Sequence, residues 1–342
     1  MGSLPTAFTL GLPGHGGTAK LKAMSKIKRI KHLLVEEFYR KHGEHLQLEL
    51  ISEAAGLQRK IFEPSTNRPG LALAGFYLYF AYKRIQVLGN SEFGYLGALP
   101  EREQIRRFEE MCACDIPCIV VCRNRRMPEN LLKVANDAGV AIFRTTMDTM
   151  RFINACTLWL DWDFAPTTTE HGCMVDVKGI GVLIKGDSGA GKSEAVLGLL
   201  ERGAALVADD MVRFRAPEGR ELEGSSTELG RFHMEVRGIG VVNVPLLFGA
   251  ASMRVRKRLD LVVFLKPLEN FLEVDRLGIE ERHYQILETS VPMIELPVGP
   301  GRDTARLVEV AALEQKLRSF GHHSAVEFNK NLLRTMEEQR IS

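Results

Sequence analysis

Gly186-Asp187-Ser188-Gly189-Ala190-Gly191-Lys192-Ser193 fits the pattern G-x-x-x-x-G-K-[ST] and marks a chain that handles a nucleotide polyphosphate. Its flanks agree with its letters. Val182-Leu183-Ile184 reads as a buried strand, and Ser193 to Arg202 reads as a helix closed by Gly203. Strand, loop and helix in that order are the context a phosphate loop requires, and an accidental glycine-rich turn would lack it. The glycines let backbone N–H groups curl around phosphate oxygens, and the helix N-terminus adds partial positive charge. Lys192 would reach the outer phosphates, and the Ser193 hydroxyl would take a Mg2+ position.

Ala204 to Ala208 forms an apolar run that leaves the phosphate-loop helix and ends in Asp209-Asp210. A strand parallel to 182–184 would bring these carboxylates beside Lys192 and Ser193. Neighbouring side chains on a strand point to opposite faces, so both face the phosphates only if the strand is ending. A carboxylate here can ligate Mg2+ or take the proton of a hydroxyl acceptor, and a turn or helix cap is the competing account. His171 opens the stretch 171–177, which reads as a strand pairing with 181–185. Taken alone, such a histidine is more often a surface residue than a catalyst. The stretch Glu235 to Val244 sets an acid, a base and the glycines Gly238 and Gly240 in a tight bend, with Glu235 a candidate second metal carboxylate and a simple bulge the alternative.

The 342 residues suffice for two domains with separate cores. With 45 Lys and Arg against 43 Asp and Glu the chain is nearly neutral, so charge argues neither for nor against a nucleic-acid partner. No apolar run is long enough to span a membrane, and the first residues lack a secretory pattern. Of six cysteines, Cys112, Cys114, Cys118 and Cys122 cluster, but the last two sit in a buried-strand pattern and the spacing matches no common zinc site. Reduced core thiols are expected, with a cytoplasmic location as the default.

Residues 1–29 read as a disordered tail and residues 30–165 as an N-terminal α/β domain. Strands are expected at 46–51, 84–88, 116–122 and 140–143, and helices at 101–111, 129–138 and 147–160. That alternation implies a parallel sheet with crossover helices. Arg123, Arg125 and Arg126 read as a solvated loop. Proline and a threonine run at 163–169 have linker composition, and residues 166–342 form the second domain, which carries nearly all the chemistry. It closes with a strand at 291–296, a helix over 303–319 capped by Asp303, and a last helix opened by Ser324 and Glu327.

Together these blocks resemble the bifunctional HPr kinase/phosphorylase family. The resemblance rests on His171, Gly186 to Ser193 with Glu194, Val207 to Asp210, Glu235 to Val244, Asp275-Arg276-Leu277-Gly278 and Pro297-Val298-Gly299-Pro300-Gly301-Arg302. No gap is needed between His171 and Arg302. The N-terminal half fits more loosely, and residues 1–30 lie outside the pattern. The resemblance implies an N-terminal Mur-ligase-like α/β domain and a C-terminal P-loop kinase domain resembling the nucleotide domain of PEP carboxykinase. It implies transfer of phosphate from ATP, or from pyrophosphate, to a serine of the phosphocarrier HPr, and phosphate-dependent removal that yields pyrophosphate. Asp210 would be proton acceptor and, in reverse, donor. Lys192, His171 and Arg276 would be further catalytic residues, Ser193 and Glu235 would hold Mg2+, and the chains would assemble as a homohexamer. The Pro297–Arg302 block is implied to serve the reverse reaction. A small-molecule kinase on the same fold and a nucleotide-binding regulator without chemistry are the rival readings. The first needs a closed acceptor pocket, and the second would be favoured by loss of Lys192, Asp210 or Arg276, all of which are present.

Overall fold

The computed structural model describes residues 20–22, 27–217, 221–227, 230–270 and 281–341. Among these, 27–167 and 215–217 form one compact unit, and 20–22, 168–214, 221–227, 230–270 and 281–341 form the other. The expectation of disorder for residues 1–29 falls largely on residues outside the described set.

The first unit holds a five-stranded sheet in the order Leu48–Leu50, Ala141–Thr145, Cys118–Val121, Ile85–Leu88, Thr66–Asn67. The last four run parallel and Leu48–Leu50 pairs antiparallel with Ala141–Thr145. Ile85–Leu88 and Cys118–Val121 are buried at every position, because parallel strands covered on both faces have no solvent side to alternate toward. One face meets Phe38, Phe152 and Leu160, and the other meets Phe108, Met111 and Leu131. The helices expected between the strands are present as Glu101–Cys112, Glu129–Asp137 and Thr149–Phe164, the last capped by the Asp148 carboxylate on the Arg151 N–H at 3.0 Å. Cys112, Cys118, Cys122 and Cys156 are buried free thiols in these cores.

The threonine run with linker composition is instead a strand, Thr167–His171. β-branched residues suit a pleated surface, and here that preference outweighs the preceding proline.

The second unit is built on a seven-stranded sheet in the order Lys20–Lys22, Arg282–Ile286, Thr289–Val298, Leu261–Pro267, Ile180–Gly186, Cys173–Val177, Ala205–Ala208. Helices Lys192–Glu201 and Thr304–Ser319 cover one face, where Val182, Ile184, Val196, Leu199, Val308 and Ala312 make the core. A four-stranded sheet in the order Arg256–Arg258, Glu223–Ser226, Met211–Arg215, Thr167–His171 meets the other face. The approach is close at Gly224, where a Cβ would fall 2.2 Å from Met174 Sδ and 2.9 Å from Phe214 Cε1.

Ala205–Ala208 runs in the same direction as Ile180–Gly186, as expected, but is not its neighbour. Cys173–Val177 lies between them, antiparallel to both. The cause is the tight Lys178-Gly179 turn, whose φ values of 51° and 94° suit a two-residue hairpin and fold the strand back beside its successor.

The closing helices appear as Thr304–Ser319 and Ser324–Ile341. On the first, Ala305, Val308 and Ala312 are buried, while Val310, Leu313, Leu317 and Phe320 form an exposed apolar stripe.

Candidate functional site

Strand Ile180–Gly186 delivers the chain to the phosphate loop and helix Lys192–Glu201 takes it away. Positive φ is required at Gly186, Gly189 and Gly191, at 154°, 83° and 81°. Gly186 is also sterically fixed, since a Cβ there would lie 2.8 Å from the Leu265 carbonyl. Lys192 Nζ donates to the carbonyls of Gly186 and Asp187, at 2.9 Å each, which folds the ammonium back over the loop. The helix that follows presents orphan N–H donors and its positive dipole end at the same place.

A cavity of about 250 Å3 opens there. Ser188, Gly189, Gly191, Lys192 and Ser193 form one side, and Asp209, Asp210 and Glu235 face them. The two aspartates follow the end of strand Ala205–Ala208, and Asp210 takes a left-handed backbone with φ 59°. That turn sends the adjacent carboxylates to different partners. Asp209 accepts from the Cys173 thiol on Oδ1 at 2.9 Å and from the Glu235 N–H on Oδ2 at 3.0 Å. Asp210 faces outward, with Oδ1 3.9 Å from His171 Nδ1 and both side chains 82% exposed.

His171 closes strand Thr167–His171 rather than opening the strand after it, which begins at Cys173. Gly172 makes the break: its φ is 147°, and a Cβ would fall 2.6 Å from the Ile184 carbonyl. Its N–H donates to the Asp210 carbonyl at 3.0 Å, so the backbone itself joins the His171 and Asp210 turns.

Glu235 sits on strand His233–Val236, paired antiparallel with Gly240–Asn243. Met234 and Val236 turn inward and Glu235 outward, so alternation aims this carboxylate at the cavity. Gly238 and Gly240, at φ 86° and 104°, make the bend. Ser193, Asp209, Asp210 and Glu235 offer the hard oxygen donors that suit Mg2+. No cluster of three or more His, Cys, Asp or Glu side chains among the described residues could hold a metal ion. Such a sparse set fits an ion bound through one or two carboxylates and substrate phosphates.

Arg276, with Asp275, Leu277 and Gly278, lies outside the described residues. The Pro297–Arg302 block ends strand Thr289–Val298 and turns into the helix capped by Asp303, whose carboxylate accepts the Arg306 N–H at 3.0 Å. Val298, Gly299 and Pro300 line a groove together with Gly189, Ala190 and Gly191, and Arg302, the last residue of the block, is exposed.

Three residues have places in the site that sequence reading left unassigned. Cys173 lines the cavity beneath Asp209, and its pKa is raised above the ordinary thiol value by burial and by the neighbouring Asp209 carboxylate. Arg237 lines it too, from the turn that follows strand His233–Val236. The anchoring role of Asp209 had no sequence signal.

No helix among the described residues is long and apolar enough to cross a membrane. Family profiles described as HPr Serine kinase N terminus and HPr Serine kinase C-terminal domain match residues 33–160 and 162–332. The HPr kinase/phosphorylase of Bacillus pumilus is 40% identical over 295 residues, covering 86% of this chain and 95% of the relative. That of Bacillus mycoides is 40% identical over 294 residues, with coverage of 86% and 95%. A solved structure of the Hpr(Ser) kinase/phosphatase from Coxiella burnetii is 32% identical, covers 47% of this chain and 97% of its own, and superposes with a TM-score of 0.43. A phosphate loop in its proper strand–helix setting, carboxylates gathered opposite it, and two family profiles that between them span nearly the whole chain give one answer: the chain belongs to the HPr serine kinase family.

Proposed function

We propose that the cavity between the phosphate loop and Asp210 is where phosphate moves between ATP and a serine of an HPr-type phosphocarrier. Membership of the family makes the chain a protein-serine kinase/phosphorylase that uses ATP. The observation that carries the assignment of roles is the exposed Asp210 carboxylate opposite Lys192, with His171 beside it.

In the forward direction Asp210 takes the serine proton as the oxygen attacks. In reverse the protonated Asp210 returns it to the departing oxygen, by microscopic reversibility. Lys192 leaves the loop carbonyls for the outer phosphates and stabilises the charge that spreads over the moving group. His171 lies close enough to tune or relay the Asp210 proton. Arg276 supplies a further cation. The residues Gly186 to Ser193 cradle the phosphates through backbone N–H groups. Ser193 and Glu235 would hold Mg2+, which when bound neutralises phosphate charge. Pyrophosphate can serve as alternative donor, since the loop grips phosphates rather than the base.

Among the described residues the His171 and Asp210 side chains are each 82% exposed, which leaves room for a protein substrate and disfavours a small-molecule kinase. The exposed stripe of Val310, Leu313, Leu317 and Phe320 supports assembly, in our reading a homohexamer. We place the enzyme in the cytoplasm, where buried free thiols are stable. The domain limits 1–29, 30–165 and 166–342 stand as part of the proposal, as do likenesses to Mur ligase and PEP carboxykinase folds. Incubation with ATP, Mg2+ and a purified HPr-type protein, followed by intact-mass measurement, tests the function. An acceptor that gains no phosphate overturns it.

A further inference from the structure

Between the two sheets of the second unit lies an ion pair shielded from water. Glu170 Oε2 is 2.5 Å from Lys185 Nζ and accepts the Tyr284 hydroxyl at 3.0 Å. The side chains of Glu170 and Lys185 are 4% and 13% exposed. The ammonium also sits over the ring of Tyr284 at 5.0 Å and that of Phe264 at 6.0 Å. The Tyr284 phenol is pushed above its ordinary pKa by burial and by the Glu170 charge, so it stays a hydrogen-bond donor.

The position of this pair in the chain gives it meaning. Glu170 directly precedes His171, and Lys185 directly precedes Gly186, the first residue of the phosphate loop. Beyond each comes a glycine at positive φ, Gly172 and Gly186, where the backbone is least self-restrained. The pair therefore ties the end of the strand that carries His171 to the end of the strand that opens into the phosphate loop. Stability alone does not account for it. Burying two charges costs desolvation that two well-packed apolar side chains would avoid, and such replacements are often neutral or stabilising. What an ion pair supplies and an apolar pair does not is a fixed distance and direction.

We propose that Glu170, Lys185 and Tyr284 form a positioning clamp that sets His171, and with it Asp210, relative to the phosphate loop. The clamp joins the smaller sheet, which carries His171, to the larger sheet, which carries the loop. Tyr284 extends it to the strand that resumes the chain after residues 271–280. This inference rests on the catalytic reading of the site given above.

The test compares wild-type protein with Glu170→Gln, Tyr284→Phe and the double variant E170L/K185M. The measurements are kcat, KM for ATP with an HPr-type acceptor, and the thermal midpoint. Misplacement of reacting groups by about 1 Å costs on the order of 100-fold in rate, so Glu170→Gln should lose roughly that in kcat while KM for ATP stays within about threefold. Tyr284→Phe removes one hydrogen bond and no charge, and should lose about tenfold. E170L/K185M should melt at or above the wild-type temperature and still show the kcat loss. Wild-type kcat in the double variant overturns the clamp, as does a loss confined to KM or one that tracks the thermal midpoint. If the charged-residue variants do not fold, wild-type kcat in Tyr284→Phe overturns it. A wild-type chain that never phosphorylates the acceptor defeats the functional reading instead, so the two failures are distinguishable.

Discussion

Asp209 accepts the backbone N–H of Glu235 on Oδ2 at 3.0 Å, which pins the Glu235 hairpin to the turn that carries Asp210. Its other oxygen accepts the Cys173 thiol at 2.9 Å. Both oxygens of Asp209 are thus engaged in holding the site together. Asp210, its neighbour, presents its carboxylate to solvent and to His171. One aspartate builds the cavity and the other is available for chemistry.

Asp210→Asn should therefore remove both phosphorylation and its reversal, by on the order of 10²–10⁴-fold, because a carboxamide neither takes nor gives the proton. Nucleotide binding should survive. Asp209→Asn should behave differently: it keeps one acceptor oxygen, weakens the hold on Glu235, and costs about 1–2 kcal/mol of stability with a smaller rate loss. Rates in both directions together with thermal unfolding of each variant separate the two. The roles are reversed if Asp209→Asn alone abolishes turnover.

Lys192→Ala should leave the circular dichroism spectrum unchanged and lower both activities by on the order of 10²–10³-fold, as expected for loss of a donor aimed at developing charge. Lys192 donates to the carbonyls of half-buried Gly186 and exposed Asp187, so its removal should disturb the fold little. Wild-type turnover in this variant would refute the phosphate-loop assignment.

How far the sequence carried this picture depended on whether a residue's task was local. The phosphate loop was legible because its conformation is dictated by its own glycines, and in the first unit Cys118–Val121 was legible because it is an unbroken apolar run. What was not legible arose between segments distant in sequence. His171 was assigned to the wrong strand because the break at Gly172 depends on the Ile184 carbonyl packed against it. The Glu170–Lys185 pair and the Asp209–Glu235 bond have no sequence signature, since nothing in either segment names its partner. The helix over 303–319 was legible, but not that its Val310, Leu313 and Leu317, with Phe320 at its end, face outward.

The cysteines give a prediction in pH and reactivity. Burial pushes Cys112 and Cys118 up to about 12 and Cys122 up to about 11, from an ordinary value near 9.0. A folded-state pKa above the unfolded one means stability present below the unfolded value and lost as pH rises through the folded one. Unfolding midpoints should accordingly fall between about pH 9 and 12, and far less in a variant with these cysteines changed to alanine or serine. At pH 8 a thiol reagent should label Cys114, the half-buried member, ahead of the others. Rapid labelling of Cys118 in folded protein would contradict the buried, reduced assignment.

The exposed stripe on helix Thr304–Ser319 should be an assembly surface. Leu317 and Phe320 are 46% and 71% exposed, so Leu317→Glu or Phe320→Glu removes no core packing. Light scattering should show smaller species for these variants at unchanged circular dichroism. Unaltered mass for both would remove this face from the assembly.

Arg302 should separate the two directions of the reaction. The block it ends leaves strand Thr289–Val298, and Gly301 at φ 78° turns the chain so that Asp303 can cap the next helix. Val298, Gly299 and Pro300 run along the groove opposite Gly189–Gly191, which places this backbone beside the outer surface of the phosphate loop. Inorganic phosphate attacking a phosphoserine must be held as a separate anion, a demand that ATP, already gripped by the loop, does not make. Arg302, exposed two residues beyond Pro300, can meet that demand with a two-pronged, charge-assisted contact. Loss of such a contact should cost about 1.5–3 kcal/mol, so Arg302→Ala should slow phosphate-dependent dephosphorylation roughly 10- to 100-fold. ATP-dependent phosphorylation should change by less than about threefold, because nothing in the phosphate loop is touched. The Asp303 cap and its ion pair with Arg202 at 2.6 Å remain, so the helix should not unravel. Both rates measured on one preparation decide the matter: equal losses would mean that the block serves folding or acceptor docking, and not the holding of phosphate.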